Sequence, residues 1–442
     1  MTTTTTKPFD IAIVGGGISG LTLAIGLLQQ NVPVTVYEAA SKFGEIGAGV
    51  GFGPNAVRAL ALISPELPQK LDRLITYGWE SQRMNWFRAR VGDARKAGPD
   101  GVLRQEWKGQ KNEGKKVGDP LFDVGYTDAD GVKGGVHRAH LLDELLKLLP
   151  ASVSHLGKRL VSIDPADDES ESSSGGDVVL HFADGTSVRH SAVVGCDGIK
   201  SRTRDILLKG EAKAVFSGKY AYRGLIPMDK ATEMLGAEIA QNCQMYMGHH
   251  GHLLTYPIEK GRTMNVVAFS SCDTWSNPDW VVSTSKEKML SDFAHWGPDV
   301  AAIISAMEKR DIWALFDHPP APTYFGLAPR ICLLGDAAHA STPHQGAGAG
   351  MCIEDCYVLS RLLGEVQGAG DIGKAFRAYD AARRPRTQKL VSTSREAAML
   401  YEFELVGDDL EAIEENFTTR MKWIWDVDLQ EELERAFTIL RS

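Results

Sequence analysis

The chain has 442 residues, of which 43% are apolar and 24% are charged, and its formal net charge is −9. This length predicts two joined domains or one α/β body with an inserted layer, because a single core rarely grows so large. The near-average composition excludes a disordered or fibrous protein. The interspersed acids and bases argue against nucleic acid as a partner.

The N-terminal residues and the cysteines set the expected location. Met1 to Pro8 lack the pattern of a signal peptide, and the apolar runs that follow are too short to cross a membrane. The six cysteines have no CxxC pairing of the kind that binds zinc or forms a redox dithiol. We therefore expect a cytoplasmic protein with reduced thiols, no membrane span and no metal site.

A strand, a glycine turn, a helix and a second strand follow one another at the start of the chain, at Ile11–Val14, Gly15–Gly20, Leu21 to Gln30 and Val34–Tyr37. The strands are apolar without alternation, which is typical of a parallel sheet covered on both faces. The turn matches GxGxxG. In this context it predicts dinucleotide binding rather than an ordinary tight turn, and it leaves FAD and NAD both open.

Four residues of this unit have separate predicted tasks. Gly15 permits the tight turn, Gly17 lets a pyrophosphate approach the backbone, and Gly20 lets the helix pack against the strand. The helix N-terminus offers unpaired amides to the phosphates. Glu38 ends the second strand, where a carboxylate can accept hydrogen bonds from both ribose hydroxyls.

The middle of the chain alternates polar loops with short periodic segments. Gly92 to Lys133 is rich in Gly, Lys, Asp and Gln, and we interpret it as an exposed insertion. His137 to Leu149 has helical periodicity. Val178–Phe182 and Ser187–Arg189 flank an Asp-Gly turn in the pattern of a hairpin.

The second half of the chain changes style twice. Between Lys213 and Ser271 strands follow one another without helices, which predicts an antiparallel sheet in a separate layer, the substrate domain. Trp280 to Lys309 is mostly helical in pattern, and the apolar strand Ile331–Leu334 returns to the α/β style. Helices fill Gly364 to Ser442 and end in a charged amphipathic pair. This pair either covers the body or joins a second copy in a homodimer.

Two later motifs decide between the cofactors. Ala192–Arg204 reads AVVGCDGIKSRTR, and Leu334–His339 reads LGDAAH and is followed by Gly346 and Gly348. Taken singly, each is an ordinary turn or helix cap. In this order along one chain they resemble the Asp-Gly and Gly-Asp motifs of the FAD-dependent aromatic hydroxylases, and most of all those of the salicylate hydroxylase group.

The resemblance implies a set of flavin contacts. Asp336 would accept a hydrogen bond from a ribityl hydroxyl, and the amides of Gly348 and Ala349 would gather at the flavin O2 and N1. Asp197 would serve the region of the hydride donor and the pyrophosphate. Arg138 corresponds to the family's flavin-contacting arginine, although its residue type and position also fit a solvated cation at a helix start.

Three residues are candidates for the substrate side. His344 lies where the salicylate hydroxylase group carries a histidine, and its imidazole suits a base that takes a phenolic proton; a structural loop histidine is the alternative. Arg223 either holds a substrate carboxylate or phenolate, or is an edge-strand arginine in solvent. Tyr256 either offers its hydroxyl to the same ligand or packs in the core.

Further residues bear on the ligands. The glycine-rich stretch Gly44–Gly51 resembles the family's loop beside the flavin ring. Trp86, Met245 and Met247 fit either an aromatic pocket or plain core packing. Met351 departs from the family, whose members commonly carry a polar residue there, so the substrate is less well specified than the chemistry.

The fold implied by the resemblance is α/β: a Rossmann-like FAD-binding domain with an inserted antiparallel-sheet substrate domain and a helical C-terminus. We place the FAD-binding domain at residues 1–207 and 326–400, the substrate domain at 208–325 and the helical C-terminal segment at 401–442. NADH or NADPH would bind transiently and reduce the FAD, and O2 would then hydroxylate a small phenolic substrate. With a salicylate, attack at the carboxyl-bearing carbon would release CO2 and give a catechol.

Three alternatives stay open at this point. A flavin epoxidase acting on an isoprenoid or a polyketide shares the cofactor motifs and needs no base at His344. A flavin-free NAD dehydrogenase fits Gly15–Gly20 but leaves the segments around Asp197 and Asp336 unexplained. A non-catalytic flavoprotein would sense redox state through its helical C-terminus.

Overall fold

The computed structural model describes residues 6–43, 49–79, 84–104, 113–126, 134–166, 177–327 and 330–442. The strands in these ranges are β1 (Ile11–Val14), β2 (Val34–Tyr37), β3 (Gly49–Phe52), β4 (Asn85–Val91), β5 (Pro120–Gly125), β6 (Gly134–His137), β7 (Ser154–His155), β8 (Leu160–Pro165), β9 (Val178–Phe182), β10 (Ser187–His190), β11 (Ala192–Gly195), β12 (Val215–Pro227), β13 (Gln244–Gly248), β14 (Gly251–Ile258), β15 (Thr263–Ser271), β16 (Val281–Ser283), β17 (Asp311–Asp317), β18 (Phe325–Leu327) and β19 (Arg330–Leu333).

The helices in the same ranges lie between and after these strands. They are α1 (Ile18–Gln29), α2 (Pro54–Ile63), α3 (Glu66–Asp72), α4 (Arg138–Leu146), α5 (Arg202–Leu207), α6 (Met228–Leu235), α7 (Ala237–Ala240), α8 (Lys286–Asp292), α9 (Pro298–Ala306), α10 (Asp336–His339), α11 (Gly348–Glu365), α12 (Ile372–Tyr401), α13 (Leu410–Arg420), α14 (Lys422–Trp425) and α15 (Leu429–Arg441). None of these helices is both long enough and apolar enough to cross a membrane.

The first large sheet has the strand order β18-β19-β11-β1-β2-β7. β1 runs parallel to β2 and β11, and β11 runs parallel to β19. Every residue of β1, β11 and β19 is buried, as expected for a sheet covered on both faces. The predicted Rossmann-like start is therefore confirmed, and strands that lie far apart in sequence become neighbours.

The second large sheet has the order β16-β17-β12-β15-β14-β13-β4-β5 and is antiparallel except where β13 pairs with β4. One face packs on apolar residues of α6, α8 and α9. The other face carries Phe87, Met245, Met247 and their neighbours, which form a core with the end of α12 and with α13 and α14. The predicted antiparallel layer and the helical C-terminus are both confirmed. The domain boundaries given above stay predictions.

The interpretation of Gly92 to Lys133 as an exposed insertion was wrong for its described residues. Leu103, Phe122 and Val124 are buried, and β5 pairs with β4 at the edge of the second sheet. The alternation that buries Phe122 and Val124 spans only one short strand. It is hidden in a stretch dominated by Gly, Lys and Asp, so the composition of the surroundings was misleading.

Two smaller sheets complete the described structure, β10-β9-β8 and β3-β6. β9 and β10 form the predicted hairpin. All six cysteines are free, and Cys196, Cys332, Cys352 and Cys356 are buried. No group of three or more His, Cys, Asp or Glu residues that could hold a metal ion occurs in the described ranges.

Candidate active site

The predicted cofactor residues lie at one edge of the first sheet. Gly15 follows β1, Glu38 follows β2, Asp197 follows β11, and Asp336 follows β19 with two residues between. Because these strands are parallel, their carboxyl ends meet at the same edge, where α/β folds bind dinucleotides. The three sequence motifs therefore form one surface.

The glycines of the first turn have different reasons for being glycine. Gly15 has φ +107°, and a Cβ there would lie 2.4 Å from the carbonyl oxygen of Cys196. A Cβ at Gly20 would lie 1.9 Å from the carbonyl oxygen of Gly15, so α1 packs as closely as predicted. At Gly17 the nearest atom to such a Cβ is Nη2 of Arg138, at 4.0 Å. Among the described residues, the space above Gly17, at the start of α1, is open and bordered by a cation.

Glu38 is fixed beside this turn. Its Oε2 accepts a hydrogen bond from the amide of Gly16 and its Oε1 accepts one from the amide of Ala40, both at 2.7 Å. The carboxylate thus stands at the end of β2, next to the glycines, where the sequence placed a ribose-binding acid.

Asp197 and Asp336 differ in their surroundings. Asp197 accepts hydrogen bonds from the Ser201 hydroxyl at 2.5 Å and from the Thr203 amide and hydroxyl at 3.0 and 3.1 Å. Burial raises the pKa of the Asp197 carboxyl, and these hydrogen bonds partly offset that rise. The carboxylate holds the start of α5, while Asp336 is exposed at the start of α10. Arg204 joins the two motifs by donating to the carbonyl oxygens of residues 337 and 338, at 3.2 and 2.7 Å.

The long helix α11 begins at Gly348, directly after the loop that carries His344. Its N-cap residue, Ala347, provides no side-chain hydrogen bond, so the first amides of the helix, including those of Gly348 and Ala349, are not capped by that side chain. They form the positive end of an 18-residue helix. Gly346 has φ +57°, and a Cβ there would lie 2.9 Å from the ring of Trp86. The loop therefore passes close to an aromatic side chain.

His344 is buried between this loop and the second sheet. Its Nδ1 lies 3.2 Å from Nε2 of His252, and its ring centroid lies 4.9 Å from that of Phe269. Among the described residues, Nε2 of His344 has no hydrogen-bond partner although it is buried. Burial, with the nearby His252 and Lys219, lowers the pKa of His344 well below its usual value. The imidazole is therefore neutral, with one nitrogen left for another molecule.

Arg223 lies on the same face of the second sheet. β12 is flanked by β15 and β17, so the edge-strand alternative was wrong. The guanidinium lies 4.7 Å from the centre of the Trp313 ring, and its Nε is buried without a hydrogen-bond partner in the described ranges. Burial lowers the pKa of Arg223, and the nearby Arg138 lowers it further, while Tyr256 acts in the opposite direction.

Tyr256 packs against the small β3-β6 sheet. A Cβ at Gly49 would lie 2.6 Å from its hydroxyl oxygen, and one at Gly135 would lie 2.9 Å from its ring. Burial raises the pKa of Tyr256, and the charge of Arg223 partly offsets this. Gly44 to Ala48, the first part of the predicted flavin-ring loop, lies outside the described residues.

The three residues proposed to line an aromatic pocket lie in two different places. Met245 and Met247 are buried in the core that the second sheet shares with the C-terminal helices. Trp86 is half-buried, contacts Trp425 at 5.0 Å between ring centres, and faces Gly346. His339 is buried, and its Nε2 lies 2.6 Å from a carboxylate oxygen of Asp355.

Known proteins resemble this chain over its whole length. A sequence model described as FAD binding domain matches residues 168–394, and one described as NAD(P)-binding Rossmann-like domain matches residues 13–48. A 6-methylsalicylate 1-monooxygenase of Aspergillus terreus is 41% identical over 96% of this chain and 90% of the relative. A salicylate hydroxylase of Pseudomonas putida is 38% identical over 96% and 95%. A solved salicylate hydroxylase substrate complex superposes with a TM-score of 0.80 at 33% identity, covering 97% of this chain and 98% of that one.

The chain belongs to the salicylate hydroxylase-like FAD-dependent monooxygenases. It is an aromatic hydroxylase that uses FAD, NAD(P)H and O2. The match to the FAD binding domain rules out the flavin-free dehydrogenase. The names of the relatives give no support to the epoxidase.

The residues of this monooxygenase fit FAD. The open space above Gly17 would receive the pyrophosphate, with Arg138 beside it and Glu38 at the ribose. The start of α11 would lie against the electron-rich edge of the flavin ring. When bound there, FAD would supply the redox chemistry that connects NAD(P)H with O2.

Sequence reasoning missed the partners of His344 in the monooxygenase. His252 lies on β14, Glu402 directly follows α12, and Lys219 lies on β12. No motif marks them, and they are separated from one another by long stretches of sequence. They become recognisable only when the end of α12 is seen to reach the second sheet.

Proposed function

We propose that this monooxygenase acts on an ortho-hydroxybenzoate, a compound of the salicylate class. Arg223 binds the carboxylate of this substrate, and Nε2 of His344 accepts its phenolic proton. The observation that carries the proposal is that two buried nitrogens of ionisable side chains at one face of the second sheet, Nε of Arg223 and Nε2 of His344, lack hydrogen-bond partners among the described residues. One is a cation and the other a neutral base, which matches a substrate with a carboxylate beside a phenol.

The sheet register supports a common site for the two groups. Arg223 pairs with Val267 on β15, and Phe269, two residues further along that strand on the same face, contacts the ring of His344. Arg223 has no carboxylate partner among the described residues. Because its Nε is buried, an anionic ligand would relieve the cost of an unpaired cation at this position. The substrates named for two relatives, 6-methylsalicylate and salicylate, are such anions.

The chemistry follows from the phenolic proton. An aromatic ring attacks an electrophilic oxygen far more readily once its hydroxyl is ionised, so a base must act at that moment. If the new hydroxyl enters at the carboxyl-bearing carbon, salicylate, O2, NAD(P)H and two protons give a catechol, CO2, NAD(P)⁺ and water. The carboxylate then leaves as CO2, and its bonding electrons restore the aromatic ring.

Arg223→Ala tests the substrate assignment. Loss of a charge-assisted hydrogen bond of about 1.5–3 kcal/mol should raise KM for salicylate by roughly 10- to 150-fold, while the FAD content stays unchanged. Products would be identified by mass spectrometry, with release of ¹⁴CO2 from carboxyl-labelled salicylate as the measure of decarboxylation. A phenol without a carboxylate serves as the control, because both proteins should handle it alike. An unchanged KM for salicylate would overturn the role of Arg223.

A further inference from the structure

A chain of buried side chains leads away from His344 on the side opposite its free nitrogen. Nδ1 of His344 lies 3.2 Å from Nε2 of His252, and Nδ1 of His252 lies 3.0 Å from Oε1 of Glu402. Lys219 forms an ion pair with Oε2 of the same carboxylate. The rings of His252 and Phe269 stack with their centres 4.2 Å apart. Four separate parts of the fold, the loop before α11, β14, the end of α12 and β12, thus meet in one hydrogen-bonded line.

The hydrogen bonds in this line fix the tautomers of both rings. A carboxylate can only accept, so Nδ1 of neutral His252 must carry the proton that it donates to Glu402. Nε2 of His252 then has no proton and accepts one from Nδ1 of His344. The remaining nitrogen of His344, Nε2, is left with a free electron pair. The buried nitrogen without a partner is therefore the basic one.

Glu402 is ionised in spite of its position. Burial by itself would raise the pKa of this carboxyl, but the hydrogen bond from His252 and the ion pair with Lys219 outweigh burial, and the pKa lies below its usual value. Beyond Lys219, the charged groups that face this line are Glu404, 3.6 Å from Lys219, and the exposed His250.

We propose that Glu402 and His252 are positioning residues of the hydroxylase, which make Nε2 of His344 the basic nitrogen and offset its charge once it is protonated. The inference rests on the proposed function, in which His344 takes the phenolic proton. In that step the O–H bond of the phenol breaks and an N–H bond forms at Nε2. The positive charge that appears on His344 is offset by the Glu402 carboxylate two hydrogen bonds away.

Because His344 is buried, the Glu402 carboxylate is needed to keep its imidazole basic. A buried imidazole resists protonation because the charged ring loses its hydration, so a neutral environment would leave a weak base. An oriented carboxylate that holds the tautomer and stabilises the imidazolium is the arrangement that serine hydrolases use for their catalytic histidine. Here a second histidine lies between the two groups.

Glu402→Gln tests the tautomer argument. Lys219 donates to this side chain, so the amide oxygen must turn towards Lys219 and the amide NH2 towards His252. A donor at that point reverses both tautomers and places a proton on Nε2 of His344. We expect normal FAD content and normal reduction by NAD(P)H, a fall in hydroxylation by about 10²-fold or more, and release of the unused oxygen as H2O2. High pH, or a nitro-substituted salicylate whose phenol ionises readily, should restore much of the product.

Two matched variants separate this role from a structural one. Glu404→Gln removes a neighbouring carboxylate that also contacts Lys219, and it should leave the ratio of product to H2O2 unchanged. Adding Lys219→Met to Glu402→Gln frees the amide to turn its oxygen towards His252, so part of the lost coupling should return. If Glu402→Gln does not retain FAD, His252→Phe replaces it, because it keeps the ring stack with Phe269 and removes both nitrogens.

His344→Asn, assayed beside these variants, separates the two proposals. If His344→Asn forms as much hydroxylated product per NAD(P)H oxidised as the wild type does, the proposed function fails. If His344→Asn releases H2O2 while Glu402→Gln and His252→Phe stay coupled at every pH from 6 to 10, the positioning role is overturned and the proposed function stands.

Discussion

The glycines of the first turn differ in how much space surrounds them. At Gly15 and Gly20 the protein itself leaves no room for a side chain, because backbone oxygens lie 2.4 and 1.9 Å from where a Cβ would be. Among the described residues, the nearest atom to a Cβ at Gly17 belongs to the Arg138 guanidinium, at 4.0 Å. This difference fits the separate tasks predicted for the three glycines and leaves a ligand as the remaining reason for a glycine at residue 17.

Gly17→Val should therefore fold and lose FAD. A valine there meets little protein but fills the space in which the pyrophosphate would approach. We expect a near-normal unfolding midpoint and a low ratio of flavin to protein absorbance in the purified variant, and Gly20→Val should not fold. Gly370→Val, at a position with open space, is the control for substitution by valine. Full FAD occupancy in Gly17→Val would contradict the assignment of this site.

The sequence identified His344 and Arg223 as candidates, but it did not predict which residues surround them. His344 was named because of its residue type and family position, and Arg223 because a cation there could hold an anionic substrate group. Both roles stay predictions. His252 is separated from His344 by 92 positions and from Glu402 by 150. A histidine in an apolar strand and a glutamate after a helix carry no pattern that links them. Only the packing of the fold creates the line they form.

At the scale of elements, a buried ion cluster joins α11, α12 and α15. Arg383 is fully buried and contacts Glu354 at 2.8 Å, Asp355 at 2.7 Å and Glu432 at 2.8 Å. Burial by itself would raise the pKa values of Glu354 and Asp355, but the nearby cations, Arg383 among them, outweigh it and hold both below their usual values. The cluster fixes the C-terminal helix α15 to α11, the helix that directly follows the His344 loop.

Arg383→Met should destabilise the protein by about 3–5 kcal/mol, because it leaves buried carboxylates without their cation. Arg384→Met, which removes a partly exposed arginine paired with Asp380, should cost less than about 1 kcal/mol. Denaturant midpoints of both variants would be compared at several pH values. The lowered pKa values mean that this stability is present above about pH 4 and lost as the pH falls further, so the deficit of Arg383→Met should narrow in acid. Equal midpoints for the two variants would contradict the argument.

At the scale of the whole molecule, the sequence predicted the general architecture. It did not predict which strands make up the second sheet. Apolar runs and glycine turns located β1, β2, β11 and β19 because each signal is local. β5 comes from the stretch interpreted as an exposed insertion, no element was predicted at β4, and β4 pairs in parallel with β13 across more than 150 residues. Such pairing has no local signature, so the sequence could not assign these strands to the substrate sheet.

The C-terminal segment closes the side of the second sheet that carries His344. The Phe417 ring stacks on Tyr401 at 5.0 Å and contacts Phe87 of β4 at 5.4 Å. The Tyr401 hydroxyl in turn donates to the backbone oxygen of His344 at 2.8 Å. The C-terminal segment was predicted either to cover the body or to join a partner. Through Tyr401 it contacts the loop that carries the candidate base.

Phe417→Ala should therefore affect both stability and coupling. Loss of a buried ring costs about 3–5 kcal/mol, and the loosened Tyr401 no longer holds the loop of His344 in place. We expect a lower unfolding midpoint together with more H2O2 per NAD(P)H oxidised. Phe437→Ala is the matched control, since this ring is equally buried but packs in the core beneath the first sheet, and it should lower the midpoint without changing the H2O2 yield. If the two variants leak H2O2 to the same extent, the C-terminal segment acts only through stability and does not close the site.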